Sequence, residues 1–233
     1  MMKKCLYFLE NLLSLFYPRL CLSCGNAMQR HEQMICLECE LHLPETNYHQ
    51  LADNPLFQIF WGRVKIEGVA SLFFYRKGSG IQQLLHALKY KGKKDVGTHF
   101  GEYYGKLLIQ SELFQKIDLI IPVPLHPKKL KQRGYNQSEA IAEGLSRGMG
   151  VPYNTQAVVR QIFTETQTKK SRINRWENVK DVFEVTCPSS LKNKNILLCD
   201  DVLTTGATIE AIAQKIISIE GTKIWVVTLA SVI

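Results

Sequence analysis

The chain has 233 residues, 45% of them hydrophobic and 21% charged, with a formal net charge of +8. These proportions exclude a disordered, low-complexity or predominantly membrane-embedded chain, and they fit one α/β domain with a small appendage. The positive charge favours anionic ligands or partners without selecting one.

In chain order, residues 5–17 (CLYFLENLLSLFY) are apolar and follow Lys3 and Lys4. Glu10 and Asn11 interrupt the run, no small-residue cleavage site follows it, and it falls short of the roughly 20 residues that cross a bilayer. A short helix docked on the protein or a partner is expected, in a cytoplasmic protein with no membrane span. Two pairs follow, Cys21-x-x-Cys24 and Cys36-x-x-Cys39, eleven residues apart. Paired knuckles of this kind supply the four thiolates of a tetrahedral structural Zn²⁺ site. A metal with four protein ligands has no open position for chemistry, so its contribution is to folding. A redox dithiol is the alternative. Cys5, Cys187 and Cys199 stand outside the pattern, and Cys199 is expected in the core. Residues 42–55 are polar, carry Pro44 and Pro55, and read as a connection. The expected division is therefore residues 1–55, an N-terminal helix with a four-cysteine zinc-binding module, and residues 56–233, the α/β domain.

From residue 64 the pattern alternates strands and helices. Strands are predicted at 69–75, 119–123, 196–199 and 223–230. Helices are predicted at 81–90 (with Ile81, Leu84, Leu85 and Leu88 at helical spacing), 100–114, 137–149 and 207–219. Alternation of this kind implies a parallel sheet flanked by helices, joined by right-handed crossovers.

Residues 196–208 (ILLCDDVLTTGAT) carry the strongest chemical signal. An apolar strand ends in Asp200 and Asp201, passes through Val202 and Leu203, and turns through Thr204, Thr205 and Gly206 into a helix that begins with Ala207 and Thr208. In an open α/β sheet, ligands sit beyond the carboxyl ends of the strands. Backbone N–H groups and hydroxyls at a helix start favour an anion, and Gly206 allows close approach of the main chain. The carboxylates would repel phosphate, so ribose hydroxyls or Mg²⁺ are their natural partners.

A second segment, residues 122–138 (PVPLHPKKLKQRGYNQS), places Lys128, Lys129, Lys131 and Arg133 after a strand that prolines end. Gly134 permits a tight turn, and Gln137 and Ser138 lie near the next helix start. Cations delivered there suit a pyrophosphate group. Lys89, at the end of helix 81–90, is the other candidate contact.

The run ILLCDDVLTTGAT resembles the phosphoribosyl pyrophosphate (PRPP) motif of type I phosphoribosyltransferases. That resemblance implies ribose hydroxyls on Asp200 and Asp201, and a 5-phosphate wrapped by Thr204 through Thr208. PVPLHPKKLKQRGYNQS, preceded by LLHALKYKGKKDVG (84–97), is similar to the PVPL…RGYNQ signature of the ComF family. Arg160, Thr166, Gln167, Arg175, Asn178 and Phe183 approximate that family's later pattern, and Arg172 and Arg175 are candidates for a ligand-closing or DNA-binding loop. The ComF resemblance implies a type I phosphoribosyltransferase-like fold, PRPP with Mg²⁺, DNA uptake in natural competence, and single-stranded DNA and competence proteins as partners. Three readings stay open on sequence: a phosphoribosyltransferase of nucleotide or cofactor metabolism, a DNA-uptake factor that binds PRPP, and a zinc-dependent adaptor with a vestigial pocket.

Overall fold

The computed structural model describes residues 17–160 and 182–232. Its elements are α1 (Leu37–Leu41), β1 (Gly68–Phe74), α2 (Gly80–Tyr90), α3 (Lys94–Leu108), β2 (Leu119–Pro122), α4 (Pro127–Arg133), α5 (Gln137–Met149), β3 (Val158–Arg160), β4 (Phe183–Val185), β5 (Asn195–Leu203), α6 (Ala207–Ile217) and β6 (Lys223–Ser231). The main sheet has the order β1-β6-β5-β2 with every neighbouring pair parallel. The expected parallel sheet flanked by helices is the fold observed, with a small antiparallel β3–β4 pair added.

The strands of this sheet are apolar on both sides because both faces are covered. Leu197, Cys199, Trp225, Val227 and Leu229 pack with residues of α2, α3 and α5. Ile196, Leu198, Ile224 and Val226 point the other way, into a core with Ile209, Ile212 and Ile216 of α6. Helices α3 and α5 approach through glycines. A methyl group at Gly101 would sit 2.5 Å from the Ile141 carbonyl oxygen, and one at Gly105 would sit 2.9 Å from that of Leu145.

Four expectations are corrected. The helix predicted at 100–114 runs from Lys94 to Leu108. It stops there because Gln110 and Ser111 donate three residues back, to Leu107 and Leu108, which tightens the chain into turns. The strand predicted at 196–199 continues to Leu203, because β6 is long enough to pair with it as far as Ser231. The basic segment after β2 is not all loop: residues 127–133 form a helix that starts at Pro127 and ends at Gly134, whose φ of 81° makes it the left-handed cap. Helix α6 also ends two residues early, at Ile217.

Residues 42–55 do more than connect. Thr46 N–H donates to Leu72 O and Phe74 N–H to Pro44 O, both at 2.9 Å, which covers the open edge of β1. Asn54 donates from Nδ2 to Val69 O at 2.8 Å. Cys21 and Ile35 share one core with Phe73 and Ile81. Among the described residues no helix is long and apolar enough to cross a membrane. The apolar run 5–17 lies outside them except for Tyr17.

Candidate functional site

The carboxyl end of β5 opens into the loop that the sequence singles out. Asp200 through Leu203 are its last strand residues, paired against Thr228, Ala230 and Ser231 of β6. The loop of Thr204, Thr205 and Gly206 then enters α6 at Ala207. Gly206 has φ 71°, a conformation that disfavours side chains, and an added Cβ would lie 2.6 Å from Ile59 Cγ2. Residues 202–209, with Asp200, line a concavity of about 50 Å³. A site for a whole drug-sized ligand takes roughly 300–1,000 Å³, so this cradle fits one small group, with the rest of any ligand in the open rim.

The two carboxylates are held differently. Asp200 Oδ1 accepts from Ser138 Oγ at 2.8 Å and from the Asp201 backbone N–H at 2.9 Å. Asp201, 8% exposed, pairs through Oδ2 with Lys89 Nζ at 2.9 Å. Burial pushes the Asp200 carboxyl up to about 7. The adjacent Asp201 charge adds to that, while Ser138, the Asp201 backbone N–H and Lys89 pull the other way. A nearby positive charge would favour the ionised form of Asp200.

Lys89 stands on the last turn of α2 and Arg133 on the last turn of α4. The Tyr135 hydroxyl donates to Leu88 O and fastens the two segments together. Arg133 donates from Nη1 to Gln137 Oε1 at 2.6 Å, and its guanidinium lies 5.1 Å from the centre of the Tyr90 ring. The structure thus brings Lys89 directly onto Asp201 and ties Arg133 to Gln137, the neighbour of the Asp200 partner Ser138, while Gly134 serves as the left-handed cap of α4. Lys128, Lys129 and Lys131 instead face solvent on α4. Sequence reasoning did not assign Ser138, the direct partner of Asp200, or Asn136, which caps α5 by accepting from Ser138 N–H at 3.1 Å and donating to Val123 O at 3.0 Å. An Asn ahead of a predicted helix start was the available signal. Arg160 ends β3 with its guanidinium 5.4 Å from the Phe183 ring. Thr166, Gln167, Arg172, Arg175 and Asn178 lie outside the described residues.

The sulfurs of Cys21, Cys24, Cys36 and Cys39 lie within 4.8 Å of one another. Cys24 Sγ and Cys36 Sγ are 3.8 Å apart, about the edge of a tetrahedron with Zn–S bonds of about 2.3 Å. Cys21 Sγ accepts backbone N–H groups of Ser23, Cys24 and Cys36 at 3.4, 3.5 and 3.3 Å. Burial works against the Cys21 thiolate, yet these donors outweigh it and bring the thiol down to about 6. The donor set fits Zn²⁺, which would tie the two knuckles together. Cys199 is buried, as expected.

No protein-family model matches the chain. It is 31% identical over 144 residues to DNA utilization protein YhgH of Shigella flexneri, covering 59% of this chain and 61% of that protein. Competence protein F of Haemophilus influenzae is 32% identical over 111 residues, 46% of this chain and 48% of that protein. Competence protein ComFC of Bacillus subtilis is 24% identical over 216 residues, 91% of this chain and 77% of that protein. The match thus spans about three fifths of YhgH and half of competence protein F. Among solved structures, the glutamine PRPP amidotransferase of B. subtilis matches with TM-score 0.42 at 19% identity, covering 60% of this chain and 30% of that one. The motif resemblance to ComF and the three named relatives agree: the chain is similar to competence proteins F and ComFC and to YhgH, and the ComF family is the one these likenesses support.

Proposed function

We propose that this protein binds a 5-phosphorylated ribose, PRPP with Mg²⁺, and acts in DNA uptake during natural competence. One observation carries the ligand reading: an anion-suited loop and two carboxylates, one of them paired with Lys89, meet at the carboxyl end of a strand in a parallel sheet. Thr204 through Thr208 take the 5-phosphate, with Val202 and Leu203 fixing the loop's entry. Asp200 and Asp201 accept from the ribose hydroxyls, and Lys89, Arg133, Gly134 and Gln137 flank the pyrophosphate. Mg²⁺ bound with the ligand would neutralise charge between pyrophosphate and carboxylates. Lys89 then exchanges Asp201 for a phosphate oxygen, so ligand charge and carboxylate release are linked.

The solvent-facing lysines of α4 and the exposed ring of Tyr90 lie beside this site, a combination suited to single-stranded DNA. Residues 1–55 serve as the zinc module and 56–233 as the ligand-binding domain, in the cytoplasm with other competence proteins. The test is the Asp200→Asn, Asp201→Asn double variant in a competent host. Loss of both PRPP binding and DNA uptake is expected. Uptake that survives the loss of binding would separate pocket from role, and retained binding would overturn the site.

A further inference from the structure

One guanidinium grips the phosphate loop from outside. Arg63 follows the 3-10 helix Pro55–Ile59. Its Nη1 donates to Ile59 O at 2.8 Å and to Thr205 O at 3.0 Å. Its Nη2 pairs with the Glu210 carboxylate on the first turn of α6. Gln214 Nε2 donates to Glu210 Oε1 at 3.1 Å and to the Arg63 carbonyl at 3.4 Å, closing the arrangement. The planar fork therefore joins the 3-10 turn, a loop carbonyl and the helix start at once, which a lysine ammonium cannot reproduce.

The orientation of one peptide follows. In a trans peptide the C=O and N–H point in opposite directions. Holding the Thr205 carbonyl on Arg63, which does not line the concavity, turns the Gly206 N–H away from Arg63. Gly206 is braced behind by Ile59 and Phe60, the nearest atoms to any Cβ added there.

We propose that Arg63 is a positioning residue for the 5-phosphate: it presets the Thr205–Gly206 peptide so that the loop's donors face the anion before ligand arrives. A loop fixed beforehand pays less ordering cost on binding. The inference rests on the phosphoribosyl reading of the loop, and the test separates the two.

Calorimetric titration of the full-length protein with ribose 5-phosphate and, separately, with inorganic pyrophosphate is compared for wild type, Arg63→Ala and Arg63→Lys, with melting curves to confirm folding. Both variants should lose ribose 5-phosphate affinity about tenfold or more, near the worth of one charge-assisted hydrogen bond. Pyrophosphate affinity should stay within about twofold, and methylguanidine should restore part of the loss in Arg63→Ala. Should the alanine variant fail to fold, Glu210→Gln, which loosens the same fork, carries the same expectation. Unchanged ribose 5-phosphate affinity in folded variants, or equal loss of both probes, overturns the role of Arg63 while leaving the phosphate loop in place. A wild type that binds no ribose 5-phosphate overturns both.

Discussion

Replacing Lys89 with methionine keeps an unbranched stem and removes one cation from between the elements of the site. Lys89 Nζ lies 2.9 Å from Asp201 Oδ2, with the two side chains 24% and 12% exposed. With an effective dielectric near 20 the direct attraction is about 6 kcal/mol, and desolvation of both groups offsets much of it. Removing one partner of an exposed pair costs about 0–1 kcal/mol, and of a fully buried pair about 3–5 kcal/mol. This half-buried pair falls between, at about 2–3 kcal/mol. For a chain of this length that lowers the melting temperature by about 5–10 °C. The loss depends on pH, with a sign set by Asp200. Lys89 is one of the groups holding the Asp200 carboxyl down against burial and Asp201, so without it that carboxyl rises beyond about 7. A carboxyl that binds its proton more tightly folded than unfolded contributes stability at low pH. That stability is lost as pH climbs from about 4 through the folded value. The deficit of Lys89→Met should therefore be greatest near pH 8 and shrink toward pH 5. Melting curves of wild type and variant across that range measure it directly. An equal deficit at both ends, or none at pH 8, would refute the reasoning.

Two further outcomes follow from the geometry. Cys36→Ser should abolish binding of one equivalent of Zn²⁺ and lower the melting temperature; unchanged metal content by elemental analysis would contradict the four-thiolate site. Gly206→Ala should cost about 2–4 kcal/mol from its left-handed backbone and its contact with Ile59, whereas Gly150→Ala should cost only about 1 kcal/mol. Both glycines have φ 71°, but nothing lies within 4 Å of a Cβ at Gly150. Equal melting temperatures for the two variants would remove the argument for a braced loop.

Local signals made much of this molecule legible. Buried parallel strands read as apolar runs, and the loop of residues 204–206 is written in one contiguous stretch beside its strand and helix. What escaped depends on distant partners. The extension of β5 through Asp200 to Leu203 exists because β6 runs alongside it, and nothing within ILLCDDVL marks that. Ser138 meets Asp200 from 62 residues away, and Arg63 meets Thr205 from 142 residues away. The helix Lys94–Leu108 contains Gly97, Gly101 and Gly105, which propensity counts against a helix. Close packing on Gly144 and Gly148 overrides that cost. Charge alone marked the α4 lysines and Arg133 equally, and only the fold turns Arg133 toward Gln137 and leaves the lysines in solvent.

The most direct test of the phosphoribosyl site is calorimetric titration of PRPP with Mg²⁺ into wild type and into the Asp200→Asn, Asp201→Asn variant. Saturable binding by wild type, lost in the folded variant, is the expected result. Absence of binding to the wild type, or equal binding by both proteins, would contradict it.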